Sequence, residues 1–179
     1  MSRTLLVIDI QNDYFAGGGM PLVGADAAVE AAARVVASFR DAGDPVVHVQ
    51  HIWDAPEATF MRPGSHGAEI HEAVRPLAAE PLITKDEPNA FQGTGLADLL
   101  AELSTKELVV LGMMTSMCVD SSVRAAAEHG LAVRVVHDAC AAPDLTFEGM
   151  TVGGAQVQAA FIAALADSFA EVCSSRDFD

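Results

Sequence analysis

The chain has 179 residues, 51% of them hydrophobic, and a formal net charge of −15 at pH 7. That length suits one domain, spanning 1–179, with a full core, and the apolar content excludes a disordered chain. The acidic charge argues against partnership with nucleic acid and against docking on an anionic membrane, because both surfaces would repel it. Cys118, Cys140 and Cys173 are odd in number and far apart, so they form neither a disulfide framework nor a CxxC metal ribbon. A reducing cytoplasmic setting is the expectation.

The opening MSRTLLVIDIQND meets charge at Asp9, too soon for a signal peptide or a membrane span. Within it TLLVID (4–9) reads as a buried strand, and 25–43 as a helix closed by Gly43. DPVVHVQH (44–51) is the next strand, followed by a polar segment over 52–80 that is a candidate for a substrate lid or a subunit interface. PLITK (81–85) is a short strand, LADLLAELS (96–104) a helix and KELVVLG (106–112) a strand. A helix over 116–129, a strand over 131–138, a helix over 149–166 and a last strand over 168–172 complete the pattern. The Ala-rich helices carry regular polar positions, which makes them amphipathic and not membrane-spanning. Strand and helix alternate throughout, which predicts an α/β fold with a mostly parallel sheet covered on both faces.

In such folds the site lies beyond the carboxyl ends of the strands. The residues there are Asp9, His51, Lys85, the stretch Gly112 to Cys118, and Asp138. A cysteine at a helix start is favoured as a thiolate, and a nearby lysine adds to that. An aspartate beside it would take the thiol proton and pass it to a leaving amine, while backbone N–H groups near Met114 to Cys118 hold an oxyanion. Taken singly, each residue has a structural reading: Asp9 as a strand-end cap, Lys85 as a solvated surface lysine, Cys118 as a small buried hydrophobe. Their joint placement is what points to acyl transfer through a thioester.

Three separated blocks, LLVIDIQNDY, ITKDEPNAF and GMMTSMCVDSSVRAAAEHG, resemble the signature blocks of the isochorismatase-like cysteine hydrolases, in the right order and across nearly the whole chain. The resemblance implies a single-domain three-layer α/β/α fold with six parallel strands in the order 3-2-1-4-5-6. It implies a triad of Asp9, Lys85 and Cys118, an oxyanion hole from the N–H groups of Met114 and Cys118, and a cis peptide between Met113 and Met114. It also implies self-association as a homodimer or higher homo-oligomer.

Within the family, FMRPGSHGAEIHEAVRP followed by ITKDEPNAFQGTGL looks like the nicotinamidase-related amidases, a subgroup that includes streptothricin hydrolases. The reading is therefore hydrolysis of a C–N bond in a small carboxamide or lactam, without a cofactor. The alternatives are a metal-assisted nicotinamidase and a vinyl ether hydrolase of the isochorismatase kind. Nicotinamidases carry an Asp-x-His and a further His after the second strand. Here Asp54 is followed by Ala55 and Pro56, and His48, His51, His66 and His71 fit no ligand spacing, so no metal is assigned. His48, inside a strand, reads as core.

Gln11, Tyr14, His51, Trp53, Phe91 and Met117 are read as substrate-pocket walls. Phe15, Phe60 and Met114 add to their apolar rim, with core as the alternative reading of Phe15 and Phe60. The run GGG at 17–19 lacks a phosphate-loop context and reads as a flexible turn. Cys140 and Cys173 read as structural, and the tail SSRDFD as a frayed or docking end.

Overall fold

The computed structural model describes residues 2–179. Six strands form one parallel sheet: β1 (Arg3–Ile8), β2 (Val46–His51), β3 (Leu82–Lys85), β4 (Glu107–Met113), β5 (Ala132–Ala141) and, after a short hairpin of β6 (Leu145–Phe147) and β7 (Met150–Val152), β8 (Glu171–Cys173). Their order across the sheet is β3-β2-β1-β4-β5-β8. The helices are α1 (Ala25–Ala42), α2 (Leu96–Glu102), α3 (Asp120–Glu128) and α4 (Gly154–Ser168). No helix among the described residues is long and apolar enough to cross a membrane.

Period-2 alternation divides the central strands between two cores. Leu5 and Val7 of β1, with Val109 and Leu111 of β4, face α1, whereas Leu6, Ile8, Leu108 and Val110 face α2 and α3. α1 ends where its sequence says it should. Gly43 takes a left-handed φ of 71° and its N–H donates to the carbonyls of Arg40 and Phe39. The layers are thus α1 on one face and α2, α3 and α4 on the other, with Leu165 of α4 in the second core.

Several expectations are corrected. The last helix begins at Gly154, not 149, and runs to Ser168, so the final strand starts at Glu171. The intervening residues make the β6–β7 hairpin, which turns on Glu148 and Gly149, both at positive φ (49° and 80°). A two-residue turn with both centres left-handed is the hairpin type that follows strand twist, but Glu-Gly is a weaker signal for it than Asn-Gly. The GGG run is not a flexible turn at all of its positions. A Cβ on Gly18 would lie 2.5 Å from the Asp13 carbonyl oxygen, and one on Gly19 would lie 2.8 Å from Phe60 Cβ. Of the two readings of the tail, docking holds: Ser174 caps a 3-10 turn over Ser175–Phe178, and the Phe178 ring packs 5.8 Å from that of Phe39.

Segment 52–80 folds back on the domain. Met61, Ala68 and Val74 are buried. Asp13 fastens its first half by accepting from the Met61 N–H at 2.6 Å, and it also accepts from the Gly19 N–H of its own loop at 2.8 Å. Glu80 fastens its far end, accepting from Arg40 at 2.7 and 2.8 Å and from the Leu77 N–H at 2.8 Å. The Glu80 carboxylate also meets His48, which is fully buried in β2, at 3.0 Å.

Candidate active site

The site is built at the carboxyl ends of β1, β2, β3 and β4. Register does most of the positioning: Ile8 pairs with Gly112, and His51 pairs with Lys85. Asp9, one residue past β1, adopts φ 49° while its N–H donates to the Val49 carbonyl at 3.0 Å. A left-handed aspartate is tolerable though uncommon, and here it accompanies a carboxyl group with no exposure to solvent. Gly112 has φ 136°, and a Cβ there would lie 2.0 Å from the Ile8 carbonyl oxygen. Only glycine lets β4 run so close to β1 just before the cysteine.

After β4 the Met113–Met114 peptide is cis, and a single π turn, Thr115–Val119, leads into α3. The Met114 carbonyl accepts from the N–H groups of Met117 and Val119, on either side of Cys118. Cys118 is 5% exposed and faces Lys85, whose Nζ lies 3.3 Å from its Sγ. The same Nζ lies 2.6 Å from Asp9 Oδ2 and 3.0 Å from His51 Nδ1. The Asp9 contact is close in distance but outside hydrogen-bond geometry, so it acts chiefly through charge. Asp9 Oδ1 has no hydrogen-bond partner among the described residues. A buried acceptor left open in this way is ready to receive a proton.

An ammonium group donates and never accepts, so His51 Nδ1 carries the lone pair and the ring proton of the neutral imidazole sits on Nε2. Burial, then the adjacent Lys85 charge, lowers the His51 pKa to about 4, which keeps the ring neutral. Burial pushes the Asp9 carboxyl up against the pull of Lys85. Burial, followed by the negative charge of Asp9, pushes the Cys118 thiol up to about 12. The resting cysteine is therefore a thiol. The thiolate favoured by its helix-start position is overruled by burial.

A cavity of about 210 Å³ opens above Cys118. Tyr14, His51 and Trp53 line it, as do Met114 and Met117. Phe60 lines it as well, in keeping with the rim and not the core reading of that residue. Two expected wall residues lie elsewhere. Phe91 turns away and stacks on His129 at 4.8 Å, on a backbone held at the Ala90 N–H by Ser122 Oγ and at its own N–H by Asn89 Oδ1, both at 2.9 Å. Gln11 is fully buried behind the site, where its amide pairs with the His51 backbone in both directions, at 2.8 and 2.9 Å. It positions His51 in the way an extra strand would. Asp138 is also removed from the site, since β5 continues past it and its carboxylate holds Ser174 and Ser175 of the tail. Asp86 and Pro88, which the sequence reading passed over, complete the cavity wall.

Asp9, His51 and Cys118 offer ligand atoms within 4.8 Å of one another. The Lys85 ammonium already stands 2.6 to 3.3 Å from one atom of each. A metal ion would have to displace that cation, so the set does not fit a resident metal. His66 and His71 belong to other contacts, with Glu69 and with the Phe15 ring.

Residues 3–177 match the isochorismatase domain model. The chain belongs to the isochorismatase family. It is 48% identical over 178 residues to the isochorismatase family protein YddQ of Bacillus subtilis, covering 99% of both chains. It is 34% identical over 143 residues to a streptothricin hydrolase of Streptomyces noursei, covering 80% of this chain and 56% of that protein. A crystal structure of an isochorismatase-type hydrolase from Oleispira antarctica superposes with a TM-score of 0.95 at 46% identity, covering 98% of this chain and 95% of that one. The six-stranded parallel sheet and the hydrolase class follow from this membership together with the fold.

Proposed function

We propose that this isochorismatase-family hydrolase cleaves the C–N bond of a small carboxamide or lactam, with Cys118 as nucleophile, Asp9 as proton shuttle and Lys85 as the fixed cation between them. The observation that carries the reading is the buried cluster under the cavity: Cys118 Sγ 3.3 Å from Lys85 Nζ, and that Nζ 2.6 Å from Asp9. Similarity to a protein named maleamate amidohydrolase, 36% identical over 149 residues, supports it.

The thiol sulfur attacks the carbonyl carbon while its proton passes to the Asp9 carboxylate. Negative charge develops on the carbonyl oxygen, and the N–H groups of Met114 and Cys118 are assigned to receive it. The C–N bond then breaks as Asp9 returns the proton to the departing nitrogen, leaving a thioester. Water attacks the thioester, Asp9 takes its proton, and the C–S bond breaks with that proton restored to sulfur. Lys85 keeps its charge throughout. It offsets Asp9 when the carboxylate is ionised and offsets sulfur when the thiolate forms.

The test is ammonia or amine release from a panel of small amides, lactams and nicotinamide by wild type beside Cys118→Ala. Wild type is expected to turn over at least one member, and the variant to lose about 10³-fold or more of the rate. Hydroxylamine trapping of the acyl-enzyme provides a second readout. Full turnover by Cys118→Ala would remove the nucleophile assignment.

A further inference from the structure

The walls of the cavity differ in charge as well as shape. Trp53 and Phe60 meet edge to face at 5.4 Å, and Tyr14 adds a third ring 6.3 Å from Phe60. Aromatic faces carry negative potential and attract cations. Asp86, at the exposed rim, adds a carboxylate. Among the described residues no lysine or arginine lines the cavity. Lys85 lies beneath Cys118 and is matched by Asp9 at 2.6 Å. Arg62, near Phe60 in the chain, is directed to the Ala58 carbonyl at 2.9 Å. His51 contributes an N–H without a charge. A carboxylate entering this space would lose its water and find no cation in exchange, whereas an ammonium would find rings and a carboxylate.

We propose that the pocket selects by charge, taking amides whose remaining part is neutral or cationic and refusing those that bear a carboxylate. For turnover this rests on the amidase reading above, but the selection itself can be read without turnover. Cys118 is the natural reporter, since it forms the floor of the cavity. Methanethiosulfonates with neutral, anionic and cationic tails convert its thiol to a mixed disulfide and release methanesulfinate. Peptide mapping separates that product from any at Cys140 or Cys173, and each rate is divided by the same reagent's rate with 2-mercaptoethanol.

The anionic reagent is expected to lag the cationic one by about tenfold or more, even at about 0.5 M salt, where the general repulsion of an acidic surface is screened. Asp86→Lys should narrow or invert that ratio. The turnover arm compares kcat/KM for butyramide, succinamate and β-alaninamide, which differ in ending as methyl, carboxylate and ammonium, with succinamate the poorest. Equal labelling by anionic and cationic reagents, or a ratio unmoved in Asp86→Lys, would overturn charge selection. Selective labelling with no amide turned over would leave charge selection standing and count against the amidase reading.

Discussion

Lys85 is the residue on which the site turns. Its ammonium is fully buried among a carboxylate, a neutral imidazole and a thiol. Removing one partner of a buried pair leaves an uncompensated charge and costs about 3–5 kcal/mol, while removing both can be nearly neutral. Lys85→Met is therefore expected to lower stability by about that amount, and Asp9→Asn with Lys85→Met to recover much of it, read from denaturant midpoints. Activity adds a signature that a structural role would not give. In the proposed mechanism Asp9 must be ionised to take the thiol proton, and burial has already raised its pKa. The acid limb of kcat/KM should therefore lie above the ordinary aspartate range. In Lys85→Met it should move further toward neutral pH, because the cation that favours the carboxylate is gone. An unmoved limb would show that a group other than Asp9 carries the proton.

At the scale of elements, the pocket depends on how segment 52–80 is tied down. Asp13 does this from the loop after β1, accepting from the Met61 N–H of the segment and the Gly19 N–H of its own loop, and Gly67 passes so close that a Cβ there would lie 2.1 Å from its carboxylate. Asp13→Ala should cost about 2–3 kcal/mol for the lost charge-assisted bonds. It should raise KM more than it lowers kcat, since Phe60 and Trp53 shift while the buried cluster stays. A fall in kcat alone would place Asp13 in the chemistry and not in the wall. No pattern in the sequence marks Asp13, because its partners are backbone groups and one lies 48 residues away. The parallel sheet was legible because apolar runs alternate with helical periods, and the meeting of Asp9, Lys85 and Cys118 because parallel strands share a carboxyl edge. Phe91 was misplaced for the opposite reason. Its backbone is held by bonds from Ala90 to Ser122 and from Phe91 itself to Asn89, which no spacing rule records. The β6–β7 hairpin was missed because its turn is Glu-Gly and its strands are three residues each.

Across the whole molecule, the buried titratable groups predict a stability maximum between pH about 6.5 and 9. His48 and His51 have folded pKa values below the ordinary 6.5, each first through burial, with His51 at about 4. The unfolded chain therefore binds protons first as pH falls, and stability declines from pH 6.5 downward. Burial pushes the Glu80 carboxyl up, but its bonds from Arg40, Leu77 and His48 prevail and hold it at about 2. Its contribution is present above the unfolded value of 4.5 and is lost between 4.5 and about 2. Asp9 works against this trend, because its raised pKa makes the folded state bind a proton before the unfolded one does. On the alkaline side Cys118 and Cys140, raised chiefly by burial to about 12, and Cys173, raised to about 11, all remain thiols after unfolded cysteines have ionised near 9. Stability is then lost above pH 9. Long-range repulsion from a net charge of −15 pulls the other way on the acid side, because acidification relieves it. Salt separates the two effects, since it screens the surface far more than the buried groups. Urea midpoints measured from pH 3 to 11 at about 0.5 M salt should therefore show the plateau, with Glu80→Gln weakening the decline below pH 4.5. A midpoint that rose on acidification from pH 6.5 under those conditions would mean that charge repulsion, and not the buried histidines, governs the stability of this domain.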